Sequence, residues 1–181
     1  MEKEKYIKPI KNLLYVIAFL WIVHILSYFF PINQFGIVPR DISGLWGILF
    51  APLLHNDFSH LSANSVSLFI LGMFLITLEH GKSYWIITAV IILGGAGTWL
   101  IGRPDTVHIG ASGVIYGILG YLLARGLFKR DFKSLIISLV VFFLYSGMIF
   151  GVLPVNTSMS WESHLCGFVS GIITASSYGR K

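Results

Sequence analysis

Six stretches free of Asp, Glu, Lys and Arg divide the 181-residue chain, at residues 12–39, 58–78, 83–102, 106–124, 134–161 and 163–179. A bilayer hydrocarbon core of about 30 Å takes about 20 residues of helix, and each run approaches or exceeds that length. Soluble domains place charge on every element; here only 12% of residues are charged, against roughly 25% in an ordinary soluble domain. A seventh run, 42–56, is too short to span and contains Pro52, which fits a re-entrant or interfacial segment. The expectation is an all-α polytopic membrane protein with six transmembrane helices, near residues 12–31, 59–78, 83–102, 110–125, 134–153 and 163–179. They form one domain over residues 1–181, with an irregular interfacial loop between the first two helices.

The formal charge of +5 would suggest a nucleic-acid binder in a soluble chain, but the cations sit at the ends of the uncharged runs. With the N-terminus cytoplasmic, Lys3, Lys5, Lys8, Lys11, Lys82, Arg125, Lys129, Arg130, Lys133, Arg180 and Lys181 are inside, and only Arg40 and Arg103 are outside. The positive-inside rule therefore orients both termini to the cytoplasm of a multi-pass cell-membrane protein and leaves no reason to invoke nucleic acid. The lipid bilayer is the partner that composition implies; oligomeric state is not encoded in these patterns. A single cysteine, Cys166, excludes an intramolecular disulfide framework, and no Cys/His spacing fits a structural zinc site.

Polar groups within a span are costly, so each is a functional candidate. The second span carries His60 and Asn64, four residues apart on one helix face; the fourth begins Gly110-Ala111-Ser112-Gly113, and the sixth begins near His164. In the derived topology spans two, four and six all start at the external side, which brings these residues to one depth. A Ser and a His on facing helices are the minimal set for nucleophilic acyl transfer, with Ser112 as nucleophile and His164 as general base and acid. The Ser112 N–H at a helix start, with His60 and Asn64, supplies donors for an oxyanion. Tyr116, one turn after Ser112, is placed to support the His164 ring.

Three segments, Gly110-Ala111-Ser112-Gly113-Val114-Ile115-Tyr116-Gly117, His164-Leu165-Cys166-Gly167 followed by Gly171, and the stretch from His55 through His60 to Asn64, together resemble the rhomboid intramembrane serine proteases. The resemblance runs from about Trp46 to Gly171. It implies a six-helix rhomboid-like bundle that cleaves transmembrane or juxtamembrane segments of other membrane proteins, without a cofactor or metal, at a site opening to the extracytoplasmic side. It also implies Ser112 and His164 as the catalytic dyad, an oxyanion hole of His60, Asn64 and the Ser112 N–H, and supporting roles for Gly110, Gly113, Tyr116 and Gly167. Glu79 and Arg125 fall where the family often has an acidic and a basic residue, read here as structural. Where family members commonly carry Trp-Arg in the first external loop, this chain has Trp46-Gly47.

Two other classes compete. A non-catalytic rhomboid-like binder of transmembrane segments would be favoured by loss of Ser112 or His164, and both are present. A small channel or transporter would carry ionisable residues along a pore, whereas here the polar residues gather at one depth. The short fourth and sixth spans leave room for a polar pit, and the uncharged fifth run, with the loop after it, reads as a lateral gate for a substrate helix. His24 on the first span, His80 at the inner surface and His108 in the loop before Ser112 are set aside, as are Asp57, external, and Glu162, external and solvated; Cys166 reads as a packing residue.

Overall fold

Backbone N–H and C=O groups cannot be left unpaired in hydrocarbon, and the chain meets that constraint with helices. The computed structural model describes residues 4–155 and 159–178, so the cations Lys3, Arg180 and Lys181 lie outside the described residues. Six long helices follow one another: α1 (Glu4–Ser27), α2 (Phe58–Glu79), α3 (Ser83–Ile101), α4 (Ser112–Lys129), α5 (Phe132–Tyr145) and α6 (Trp161–Tyr178). Among the described residues the sole β-type pairing is an isolated bridge between Ile37 and His108.

The architecture is organised around α4, in which every residue from Val114 to Leu122 is buried. Its neighbours α2, α3, α5 and α6 surround it, while α1 packs on the outer side of α2. This placement explains a difference in composition between the helices. Tyr6–Ser27, Phe58–Ile101 (which holds α2 and α3) and Phe132–Val152 are long and apolar enough to cross a membrane; α4 and α6 do not meet that measure. A helix enclosed by others need not present apolar side chains to lipid, and α4 uses the freedom for glycine and polar residues; α6 does so on the face packed against α3 and α4, while its Val169 and Ile173 stay exposed.

Glycine is what lets α4 and α6 meet. A Cβ on Gly167 would run into the Gly113 carbonyl, one on Gly171 into the Gly117 carbonyl, and one on Gly120 into the Phe168 carbonyl. The two backbones are therefore in direct contact over about two turns, close enough to fix the side chains at their N-terminal ends.

The uncharged runs and the helices differ at their ends for local reasons. α1 starts at Glu4, earlier than the uncharged run, because the charged residues at its beginning are good helix formers. The run from 134 is α-helical only to Tyr145 and continues as a 3-10 helix over Ser146–Val152, a stretch with glycines at 147 and 151. The loop between α1 and α2 is irregular, as expected, with 3-10 turns at Ile32–Phe35, Ile42–Trp46 and Ala51–Leu53 around a single α-turn at Gly47–Phe50. It crosses itself where a Cβ on Gly47 would meet the Gly36 backbone, so no side chain fits at position 47. Arg40, from the same loop, reaches the end of α3 and donates to the carbonyls of Leu100 (3.0 Å) and Gly102 (2.8 Å).

At the end of the bundle away from the loop, Arg125 and Glu79 form a buried ion pair between α4 and α2. Removing one partner of such a pair strands the other charge, at a typical cost of about 3–5 kcal/mol. Lys82, Lys129, Arg130 and Lys133 are exposed at this same end, Lys133 donating to the Thr77 carbonyl at 2.8 Å.

Candidate active site

Ser112 opens α4 and His164 lies in the first turn of α6, and the Gly113–Gly167 crossing holds the two turns side by side. His164 Nε2 and Ser112 Oγ are 2.9 Å apart. The other ring nitrogen, Nδ1, is 3.0 Å from the Gly151 carbonyl oxygen. A carbonyl only accepts, so Nδ1 carries the proton in that bond, and the neutral ring presents the Nε2 lone pair to the serine hydroxyl. The Tyr116 ring stacks on the imidazole with centroids 4.2 Å apart and planes within 13°. Its hydroxyl donates to the Met148 carbonyl at 2.9 Å. Histidine orientation is thus set by a carbonyl and a stacked ring, both tied to the 3-10 segment after α5.

Opposite the dyad lies the start of α2. Asp57 caps this helix, its carboxylate accepting from the His60 N–H at 2.8 Å. Gly110 has φ +120°, and a Cβ there would stand 2.6 Å from His60 Cε1, 2.8 Å from His60 Nε2 and 3.6 Å from Asn64 Nδ2. Both side chains therefore converge on the backbone two residues before Ser112. Asn64 Nδ2 is buried without a hydrogen-bond partner, a donor available to a ligand atom. The Ser112 N–H belongs to the first turn of α4, where backbone donors have no intrahelical acceptor. A cavity of about 380 Å³ covers the group, lined by His60, Ser112 and His164 together with Asn56, Met159 and Ser160.

The loop between α1 and α2 fixes where α4 begins. Ile37 and His108 exchange both backbone hydrogen bonds at 2.9 Å, and the Gly110 N–H donates to the Ala51 carbonyl at 2.9 Å. His55 Nε2 accepts a long bond, 3.4 Å, from the Ala111 N–H. The His55 ring is fully buried, 5.2 Å edge-on from the His60 ring. Burial pushes its pKa down to about 4, with the adjacent His60 adding to the effect. A neutral His55 is what that bond requires, because a protonated ring has no lone pair to accept with.

The sequence-predicted residues come together: Ser112, His164 and His60 line one cavity, Tyr116 stacks on the His164 ring, Gly110 lies against His60 and Asn64, and Gly113 and Gly167 form the helix crossing. Glu162 departs from expectation. It is buried, not solvated, and pairs with Arg103, whose guanidinium also donates to the Met159 carbonyl at 3.0 Å. The pair fastens the segment after α3 to the start of α6. Asp57 is a helix cap and not a partner of His164. His108 is buried, with its ring against Thr106, and Cys166 packs against Gly97. Two contributors carried no assigned role in the sequence reading: Gly151, which acts through a backbone carbonyl that no residue type reveals, and His55, visible only as one more histidine beside His60.

A family model described as the Rhomboid domain matches residues 43–181. The chain belongs to the rhomboid family. Among curated relatives, an uncharacterized protein of Mycobacterium tuberculosis is 44% identical over 148 residues, covering 77% of this chain and 62% of its own length. A Mycobacterium leprae protein, also uncharacterized, is 41% identical over 151 residues, covering 79% and 59%. The Bacillus subtilis protein named "Putative rhomboid protease YdcA" is 31% identical over 138 residues, covering 72% and 66%. This rhomboid chain spans about 62% of the length of the mycobacterial relative from M. tuberculosis.

Proposed function

We propose that this rhomboid protein is an intramembrane serine endopeptidase that cleaves transmembrane or juxtamembrane segments of other membrane proteins. The observation that carries the reading is the 2.9 Å contact between His164 Nε2 and Ser112 Oγ, with the opposite ring nitrogen fixed on Gly151. Ser112 Oγ attacks the scissile carbonyl carbon while its proton passes to His164 Nε2. The carbonyl oxygen becomes an oxyanion, received by the Ser112 N–H, Asn64 Nδ2 and His60; each such donor contributes about 3–4 kcal/mol in comparable sites. Collapse breaks the C–N bond as the imidazolium returns its proton to the leaving amine. Water then attacks the acyl-serine with His164 as base, and the ester C–O bond breaks to restore the hydroxyl. No carboxylate is needed in this scheme, since the Gly151 carbonyl and the Tyr116 ring hold the imidazole.

The concentration of exposed cations at the end away from the dyad supports a cytoplasmic placement for that end, with the cavity opening to the extracytoplasmic side. Substrate entry is assigned to the side of α5, whose Phe142, Phe143 and Leu144 are exposed. The test is labelling of the purified protein by a fluorophosphonate probe. Wild type is expected to label, and Ser112→Ala and His164→Ala are not. Equal labelling of wild type and Ser112→Ala removes the nucleophile; no labelling of wild type, with no cleavage of any transmembrane substrate, moves the reading to a non-catalytic binder.

A further inference from the structure

A second cavity, of about 270 Å³, lies away from the dyad in the gap between α1 and α3, with α2 and α4 behind it. On α1 its wall runs from Pro9 to Leu20, and on α3 from Ser83 to Ile91; Pro52 of the loop and Ala111 close the far end. Its surface is almost wholly apolar. Gly72 sits in the back wall, where a Cβ would stand 2.9 Å from a Leu13 methyl, so its missing side chain keeps the wall back. The α1–α3 gap is bridged near its open end by a hydrogen bond from Asn12 Nδ2 to Tyr84 Oη, 3.0 Å.

Three features select the occupant. At 1.5 Å per residue, Pro9 to Leu20 spans about 16 Å. That is close to half of a hydrocarbon core of about 30 Å, the depth of one lipid leaflet. A helix, about 10 Å in diameter, is too thick to enter, because the Asn12–Tyr84 hydrogen bond ties the two walls together near the open end. Water is equally unsuited, since an apolar wall offers it no partners. Finally, the open end carries exposed cations. Lys8 is one helical turn before Asn12 on the same face of α1, and Lys82 directly precedes Ser83.

We propose that this slot binds one acyl chain of an anionic glycerophospholipid, with the phosphate over Lys8 and Lys82 and the chain end beneath Ala111. The site is independent of the peptidase reading, because it uses none of the dyad's side chains.

Delipidated protein is mixed with phosphatidylglycerol or phosphatidylcholine of identical chains, and lipid retained per polypeptide is read by native mass spectrometry. Wild type is expected to retain one phosphatidylglycerol in preference to phosphatidylcholine. Ile87→Trp, which fills the slot from α3, is expected to lower retention of both by about tenfold. Lys8→Glu combined with Lys82→Glu is expected to abolish the preference while the chain is still held. Unchanged retention in Ile87→Trp overturns the slot, and an unchanged preference in the double variant overturns the headgroup assignment. Should Ile87→Trp fail to give a monodisperse protein, Val16→Trp fills the same gap from α1 and is judged by the same outcomes. Fluorophosphonate labelling of these variants reports on Ser112 separately, so loss of one reading does not imply loss of the other.

Discussion

The two halves of the site are built differently. Ser112 and His164 ride on α4 and α6, whose backbones touch through Gly113, Gly117, Gly167 and Gly171. The rim facing them is assembled from the start of α2, the loop after α1 and the 3-10 segment after α5, joined by single hydrogen bonds at Ala51, His55, Met148 and Gly151. In the proposed peptidase a reacting pair would have to hold one distance, which a glycine seam secures because neither backbone can move without the other. Donors and orienting groups around its proposed polypeptide substrate would have to admit that substrate first, which suits bonds that can be made and broken one at a time.

Breaking the seam has the largest expected effect. In Gly167→Val the added Cβ meets the Gly113 carbonyl, a backbone atom that can yield only if α4 and α6 separate. Overpacking of this kind costs about 1–3 kcal/mol or more, and the separation carries His164 off Ser112. A lowered melting temperature together with complete loss of probe labelling is expected. Gly81→Ala, where a Cβ meets nothing within 4 Å, is the control and should keep both.

Gly110→Ala strikes the rim and leaves the seam alone. Position 110 has φ +120°, strained for any L side chain, and a methyl group there presses on His60. Displacing one oxyanion donor lowers turnover by about 10²–10³ in comparable sites. Labelling rate and transmembrane-substrate cleavage should both fall, with the melting temperature lowered less than in Gly167→Val because the methyl group meets a side chain and not a backbone. A protein that keeps wild-type turnover would remove His60 from the oxyanion hole.

This division also explains what could be read before the structure. The dyad on the seam was legible because it sits in short motifs of fixed residue types: a serine at a helix start with Gly113 and Gly117 after it, and a histidine on a facing helix with Gly167 and Gly171 after it. Much of the rim was not. Gly151 contributes a carbonyl that any residue would possess, and its position follows from where α5 turns into a 3-10 helix. Glu162 looked solvated from its place between two uncharged runs, yet Arg103, 59 residues earlier, folds back to bury it. The six helices were legible from charge spacing, but the lower apolarity of α4 marks enclosure within the bundle, and that of α6 the polar and glycine face it packs against α3 and α4.

Acid should loosen the rim through His55. Its pKa is about 4 in the folded protein, against an ordinary value of 6.5, because burial disfavours the charged ring. Between those values the unfolded chain takes up a proton that the folded chain refuses, so stability is lost as pH falls from 6.5 toward 4. The loss at the acid limit is about 3 kcal/mol. His108, lowered by its own burial, adds to the same slope. Thermal melting between pH 7.5 and 4.5 should show the decline, and His55→Gln should flatten it in part. A slope unchanged by that substitution would mean that His55 is not the group being titrated.

The smallest effect sharpens the comparison most, because Tyr116 is where seam and rim meet. Its ring, carried by α4, stacks on His164, while its hydroxyl holds the Met148 carbonyl of the 3-10 segment. Tyr116→Phe keeps the stacked ring and deletes only that bond, worth about 1 kcal/mol. If the seam alone sets the dyad, labelling of Ser112 by a small probe should be unchanged. If the segment bearing Gly151 must be held for His164 to keep its tautomer, labelling should slow by about fivefold. The second outcome is expected, since the Gly151 carbonyl that orients Nδ1 lies three residues beyond Met148 in the same short helix. Tyr116→Ala, which removes the stack as well, should slow it further; equal rates for the two variants would show that the ring contributes nothing beyond its hydroxyl.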